Sequence, residues 1–225
     1  MAAQTTKTSG TNGSSSSLSD DPLVWIDCEP SPNPSSTASR TSLSNLQLCS
    51  SQMTGLNPDS DVIIEIYCIL TTGNLDVIDE KGYHAIIHCP EHRMKQMDEW
   101  CTRTHANSGL TAAVLASTTT HEEAAEGLYN YITSFIPEKR KALLAGNSVH
   151  ADRAFLRQGP YAKVVKHLHH RLLDVSAIKE AGKRWSPSEV IEKVPSKKAR
   201  HLARDDILES IEEARYYRDA IFRRA

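Results

Sequence analysis

The sequence predicts an α/β fold, a mixed sheet flanked by helices in a single domain. Three observations predict it. Strand-like segments come first, as a meander between residues 23 and 88; helical periodicity takes over from Glu91; short apolar runs then alternate with helical stretches. With 225 residues, 39% of them hydrophobic, the chain can bury the core of one such domain and still carry a tail.

The elements follow in order. Residues 1–21 are rich in Ser, Thr and Gly without apolar periodicity, and are expected to be a disordered tail. The domain proper spans 22–225. Residues 23–26 (Leu-Val-Trp-Ile) form a continuous apolar run, the pattern of a strand buried on both faces. Asp27 and Glu29 alternate about Cys28, so on a strand both carboxylates point one way at its carboxyl end. Open α/β sheets place their ligands at that end. Residues 30–52 then interrupt the domain with a Ser/Pro/Thr-rich, low-complexity insertion in which no packed element is legible.

Strand-like sequence resumes over 62–70, turns at Thr72-Gly73-Asn74-Leu75, and returns over 83–88. Met94, Met97 and Trp100 are spaced by three, as on one helix face. A helix is predicted over 121–136, with Ala124, Ala125, Leu128 and Ile132 on its buried stripe and the 118–120 threonine cluster to cap it. A short buried strand over 141–145 breaks at Gly146-Asn147, and a helix starting near Ser148 carries Asp152 in its first turns. Residues 161–170 read as helix, 172–175 as a strand, and Ser176 as the cap of a helix running towards Gly182. The last helix, about 199–222, aligns Ile207, Ile211, Ala214 and Tyr217 on one stripe.

The chemistry rests on acids spread far apart. Ending a buried run in two same-facing carboxylates is costly without a cation to offset them. Two hard cations about 3.5–4 Å apart need several anionic oxygens, and a phosphodiester supplies only some of these. Asp27, Glu29, Asp152 and Asp206 would complete such a shell, and His201, five residues before Asp206, brings an imidazole that titrates near neutrality. Singly, each has a plainer reading: Asp206 as a solvated helix residue, Asp152 as an acid favoured by a helix dipole, His201 as a surface histidine. Together they are the components of a two-metal phosphodiester hydrolase.

Composition narrows the class. A formal net charge of -2 argues against a broad polybasic nucleic-acid binder, though a short substrate presents few phosphates. No apolar run approaches about 18 residues, so no membrane span is expected, and no apolar leader segment is seen. Five cysteines without a CxxC pair suit unpaired thiols in a reducing compartment, and His88, Cys89 and His92 lack the second ligand pair of a zinc site. The cytoplasm is the expected compartment. The first twenty residues hold one Lys and no Arg, which leaves the alternative, mitochondrial import, without an Arg-rich presequence.

Val24-Trp25-Ile26-Asp27-Cys28-Glu29, Met53-Thr54-Gly55-Leu56, Gly146-Asn147-Ser148 with Asp152, Asp174-Val175-Ser176, and His201 with Asp206 together resemble the oligoribonuclease family. That family belongs to the DEDDh group of 3′-to-5′ exonucleases with a ribonuclease H-like fold. The resemblance covers about 23–222 apart from the 30–52 stretch. It implies a homodimeric enzyme that uses two Mg²⁺ or Mn²⁺ ions to degrade short RNA, dinucleotides especially, to mononucleotides. It assigns the metals to Asp27, Glu29, Asp152 and Asp206 and general-base work to His201. Leu56 matches a residue that wedges against the bases, and Trp100 and His105 match a pair lining the site. Ser148, Arg171 and Ser176 match a group that caps the 5′ phosphate, where an Arg fork and serine hydroxyls suit the ligand.

Two departures stand out. The family usually places Tyr before that Arg, across the dimer interface, where this chain has His170, which can still stack and donate. The family also runs from Glu29 straight into Met53. The composition of residues 30–52 and their seamless removal point to a retained intron. The competing readings are a DEDDh exonuclease acting on longer RNA or DNA, and an inactive nucleotide-binding protein whose site the insertion distorts.

Overall fold

The apolar run after Pro22 becomes the central strand of a five-stranded sheet in a computed structural model that describes residues 21–31, 58–59, 61–97, 99–196 and 202–223. This strand, β1 (Leu23–Ser31), pairs antiparallel with β2 (Val62–Thr71), which pairs antiparallel with β3 (Tyr83–Ile86). On its other side β1 pairs parallel with β4 (Leu143–Gly146), and β4 with β5 (Leu172–Asp174). The order β3-β2-β1-β4-β5 is the mixed sheet that the sequence predicts: meander first, parallel strands after.

Helices fill the intervals: α1 (Glu91–Met94), α2 (Glu99–Ser108), α3 (Leu110–Ala116), α4 (His121–Phe135), α5 (His150–Leu156), α6 (Ala162–His167), α7 (Val175–Trp185), α8 (Ser188–Glu192) and α9 (Ala203–Tyr217). Alternation along β1 divides the core. Val24, Ile26 and Cys28 face a cluster built with Ala124, Leu128 and Ile132 of α4 and Phe155 of α5. Leu23 and Trp25 face the opposite cluster, with Val175 of α7 and Ala203, Ile207, Ile211 and Tyr217 of α9. Burying each such large apolar side chain contributes about 1.5–3 kcal/mol. Trp25 is fully buried, and its indole N–H is satisfied by Thr71 Oγ1 at 3.0 Å.

Local chemistry sets the element ends. The predicted turn after β2 forms around the Thr72 hydroxyl, which accepts the Asn74 and Asp76 N–H groups. Thr120 caps α4 in a full capping box with Glu123. Thr120→Ala is therefore expected to cost about 1 kcal/mol and lower Tm by about 2–4 °C, readable in a thermal melt.

Five expectations need correction. Met94 and Met97 are both buried in one cluster but do not share a helix, since α1 ends at Met94 and α2 begins at Glu99. The cap of α7 is Asp174, whose side chain accepts the Ser176 N–H, so the aspartate, not the serine, terminates the strand and starts the helix. β3 stops at Ile86, two residues early, and α9 starts at Ala203. The first residues of the 30–52 stretch are not structureless: Pro30 and Ser31 continue β1 opposite Ile63 and Val62, after a break in register at Glu29. A bulge is where a strand tolerates a proline that lacks an N–H. Residues 1–20 of the expected 1–21 tail, and residues 32–52, lie outside the described residues. Tyr217, expected on the stripe of the last helix, is core, and Trp185 is exposed.

Candidate active site

The carboxyl ends of β1 and β4 lie side by side because the two strands are parallel. By alternation Asp27 sits on the Trp25 face of β1, the face that α9 covers, and it is half-buried. Asp152 arrives from the other layer. Gly146 ends β4, where an added Cβ would stand 3.3 Å from Val149, and the tight turn feeds directly into α5. The second residue of α5 after its start, Asp152, is only 2% exposed and accepts the Cys28 N–H through Oδ1 at 3.1 Å. A residue 124 positions away in sequence is thus held against the backbone between Asp27 and Glu29.

Asp206 lies in the first turn of α9, one residue before Ile207, which packs in the same cluster as Trp25. Its carbonyl accepts the Ser210 hydroxyl at 2.7 Å, and Ser210 in turn accepts Asn147 Nδ2 at 2.6 Å. Because Asn147 follows β4, that turn of α9 is anchored at the same end of the sheet. Three elements therefore bring the backbones that carry Asp27, Asp152 and Asp206 to one end of the sheet. Among the described residues, no three His, Cys, Asp or Glu side chains close into a metal nest. The Glu29 carboxylate and His201 lie outside the described atoms, and so does Leu56. The donor set itself fits a hard divalent cation: carboxylate oxygens, one of them nearly excluded from water, which is an arrangement that a bound cation stabilises.

Beside the carboxylates, Ser148 and Ser176 meet. Ser148 adopts φ 51, a left-handed backbone that costs a non-glycine residue about 1–2 kcal/mol. The bonds it makes there offset that strain. Its N–H reaches both Asp174 Oδ1 and Ser176 Oγ at 3.0 Å, and its hydroxyl donates to Ser176 Oγ at 3.2 Å. Asp174 Oδ1 also accepts the Ser176 N–H at 2.9 Å. His170 and Arg171 precede β5, with the His169 and His170 rings 4.2 Å apart. His169, then desolvation, then Arg171, Arg140 and Arg153 hold the His170 imidazole below its ordinary range, the signature of a cationic neighbourhood. Trp100 is placed on α2 by its backbone, and His105 is buried on the same helix, four residues from buried Cys101.

Asp174, Asn147 and Ser210 were not singled out as site residues by sequence reasoning. Asp174 carried a signal, as the last residue of a strand before a helix. Ser210 is spaced four from Asp206, within reach of its carbonyl on a helix, a pattern too common to stand alone.

The exonuclease family pattern (RNase_T) matches residues 53–214. The probable oligoribonuclease of Schizosaccharomyces pombe is 41% identical over 199 residues, 88% of this chain and 67% of that protein. The oligoribonuclease of Vibrio cholerae is 39% identical over 207 residues, 92% of this chain and 99% of that protein. The chain belongs to the oligoribonuclease family. It is an exonuclease, a hydrolase of phosphodiester bonds, and its fold is ribonuclease H-like. The mitochondrial oligoribonuclease of Saccharomyces cerevisiae is 41% identical over 204 residues, and the chain spans 66% of its length. Exonuclease I of E. coli, solved in a complex with single-stranded DNA, shares the fold at TM-score 0.59 and 14% identity, over 91% of this chain and 42% of that one. The nuclease domain of 3′hExo, a DEDDh family member bound to rAMP, does so at TM-score 0.52 and 14% identity, over 88% and 92%. The family match opens at Met53, directly after the 30–52 stretch, leaving Asp27 and Glu29 on the far side of the insertion.

Proposed function

We propose that this oligoribonuclease-family protein degrades short oligoribonucleotides from the 3′ end, dinucleotides above all, to mononucleotides with two divalent cations, Mg²⁺ or Mn²⁺. The cations, when bound, activate water and offset charge on the leaving oxygen. Asp27, Glu29, Asp152 and Asp206 hold them. His201 takes the proton of the attacking water, Leu56 wedges against the bases, and Trp100 and His105 line the site. Ser148, Arg171 and Ser176 cap the 5′ phosphate. A homodimer brings His170 to its partner's substrate. The single observation that carries this reading is the Asp152 carboxylate seated 3.1 Å from the N–H of Cys28, the residue 124 positions away that stands between Asp27 and Glu29.

The test is turnover of a 5′-labelled diribonucleotide and a 20-mer with each metal. Rapid cleavage of the dinucleotide and poor cleavage of the 20-mer support the reading. Comparable rates on both favour an exonuclease for longer chains, and tight binding without turnover favours an inactive binding protein. Arg171→Ala is expected to raise KM for a 5′-phosphorylated dinucleotide by about ten-fold or more, since a charge-assisted phosphate contact contributes about 1.5–3 kcal/mol. Initial rates across a substrate series read this directly.

Residues 30–52 we read as a retained intron, and a mature message joining the Glu29 and Met53 codons would support that reading. The cytoplasm is the proposed compartment. Among the described residues no helix is long and apolar enough to cross a membrane. The yeast relative named as mitochondrial keeps that organelle as a second reading, decided by imaging a tagged chain.

A further inference from the structure

A directed chain of hydrogen bonds joins the two serines of the phosphate cap to the helix that carries Asp206. The Ser148 hydroxyl donates to Ser176 Oγ at 3.2 Å, and the Ser176 hydroxyl donates to Asn147 Oδ1 at 3.2 Å. Across the same amide, Asn147 Nδ2 donates to Ser210 Oγ at 2.6 Å, and the Ser210 hydroxyl donates to the Asp206 carbonyl at 2.7 Å. The Ser176 and Ser210 hydroxyls each accept from the preceding link and donate to the next, so each bond polarises its neighbour. Ser210 is only 5% exposed, which keeps water from competing for its hydroxyl.

We infer that Asn147 is a positioning residue that sets the distance between the 5′-phosphate cap and the Asp206-bearing turn, and so makes the enzyme measure substrate length. The inference rests on the cap proposed above. A carboxamide suits the post because it accepts at one end and donates at the other. A two-nucleotide substrate with its 5′ phosphate seated at the serines has its scissile bond at one fixed distance. If Asp206 drifts relative to that anchor, the phosphate still binds but the reacting atoms lose register, and a displacement of about 1 Å can cost about 10²-fold in rate. The loss then falls on kcat rather than KM.

Two variants isolate the link. Asn147→Asp keeps the acceptor facing Ser176 but removes the donor to Ser210. Ser210→Ala removes the far partner and leaves the cap untouched. In the enzyme translated from the mature message, kcat and KM are measured for a diribonucleotide with and without its 5′ phosphate. Each variant is expected to shrink the kcat advantage conferred by the 5′ phosphate by about ten-fold, with KM for the phosphorylated substrate within about twofold. The double variant is expected to be no worse than the worse single one, as for two residues in one chain. Amide hydrogen exchange supplies a readout without turnover: the Ser210 N–H, bonded to the Asp206 carbonyl, exchanges faster in Asn147→Asp.

A rise in KM with kcat unmoved would make Asn147 a phosphate ligand only and overturn the inference. Equal losses on both substrates, or additive losses in the double variant, would reduce it to a structural residue and also overturn it. An unmutated enzyme indifferent to the 5′ phosphate would refute the cap itself, and the inference with it. That failure is distinguishable because it is seen before any substitution.

Discussion

Asp152→Asn is expected to lower kcat on a diribonucleotide by on the order of 10³-fold or more while the fold survives. The asparagine retains an oxygen that can accept the Cys28 N–H, so the seam between α5 and β1 stays closed. What it loses is the negative charge, and a hard divalent cation discriminates strongly against that loss. The concentration of Mg²⁺ or Mn²⁺ needed for half-maximal rate should rise as well. Stability should move the other way or not at all, because a neutral amide at 2% exposure escapes the desolvation cost of a carboxylate. The pair of measurements is steady-state rate against metal concentration, and a thermal melt without metal. Near-normal turnover by Asp152→Asn would remove Asp152 from the catalytic set and leave it the plainer role of an acid at a helix start.

That outcome matters because Asp152 is where sequence and structure meet most closely. Its position in the first turn of a helix after Gly146-Asn147 was legible from the break in apolar pattern, and so was the pairing of Asp27 with the end of a buried run. What a linear reading does not carry is which layer each acid comes from. Asp27 faces α9 while Asp152 reaches the same edge from the opposite layer, and only the parallel pairing of β1 with β4 puts the two together. Short-range signals are legible where one residue type decides them, as with Thr120 on α4. They are ambiguous where two neighbours compete. Both Asp174 and Ser176 favour a helix start, and the aspartate takes the cap because its carboxylate bonds the Ser176 and Ser148 N–H groups together. Spacing by three likewise suggested one helix for Met94, Met97 and Trp100, yet burial against Ile64 needs only that the first two side chains converge, which a broken helix also allows. Asn147 and Ser210 escaped because their meaning lies in a bond across 63 positions.

Deleting residues 30–52 so that Glu29 joins Met53 is expected to raise kcat/KM on a diribonucleotide by about ten-fold or more, by restoring the register of the strand that carries the two acids proposed to hold metal. The sheet supplies the argument. Glu29 stands opposite Glu65, but the next residue, Pro30, stands opposite Ile63, so the ladder skips a position directly after the second acid. A proline there brings no N–H to the ladder. With the stretch removed, Met53 and Thr54 follow Glu29 with full donors, and unbroken pairing would put Met53 opposite Ile64. The deletion also shortens a long connection, which lowers closure entropy by roughly 1–3 kcal/mol and should raise Tm. Leu56 would then stand a few residues past Glu29, as the proposed wedge role requires. Activity and melting temperature of the two forms, measured side by side, decide the matter. A shortened chain that is slower or less stable would show that the insertion belongs to the working enzyme, and that the bulge at Glu29 is part of how its strand was built.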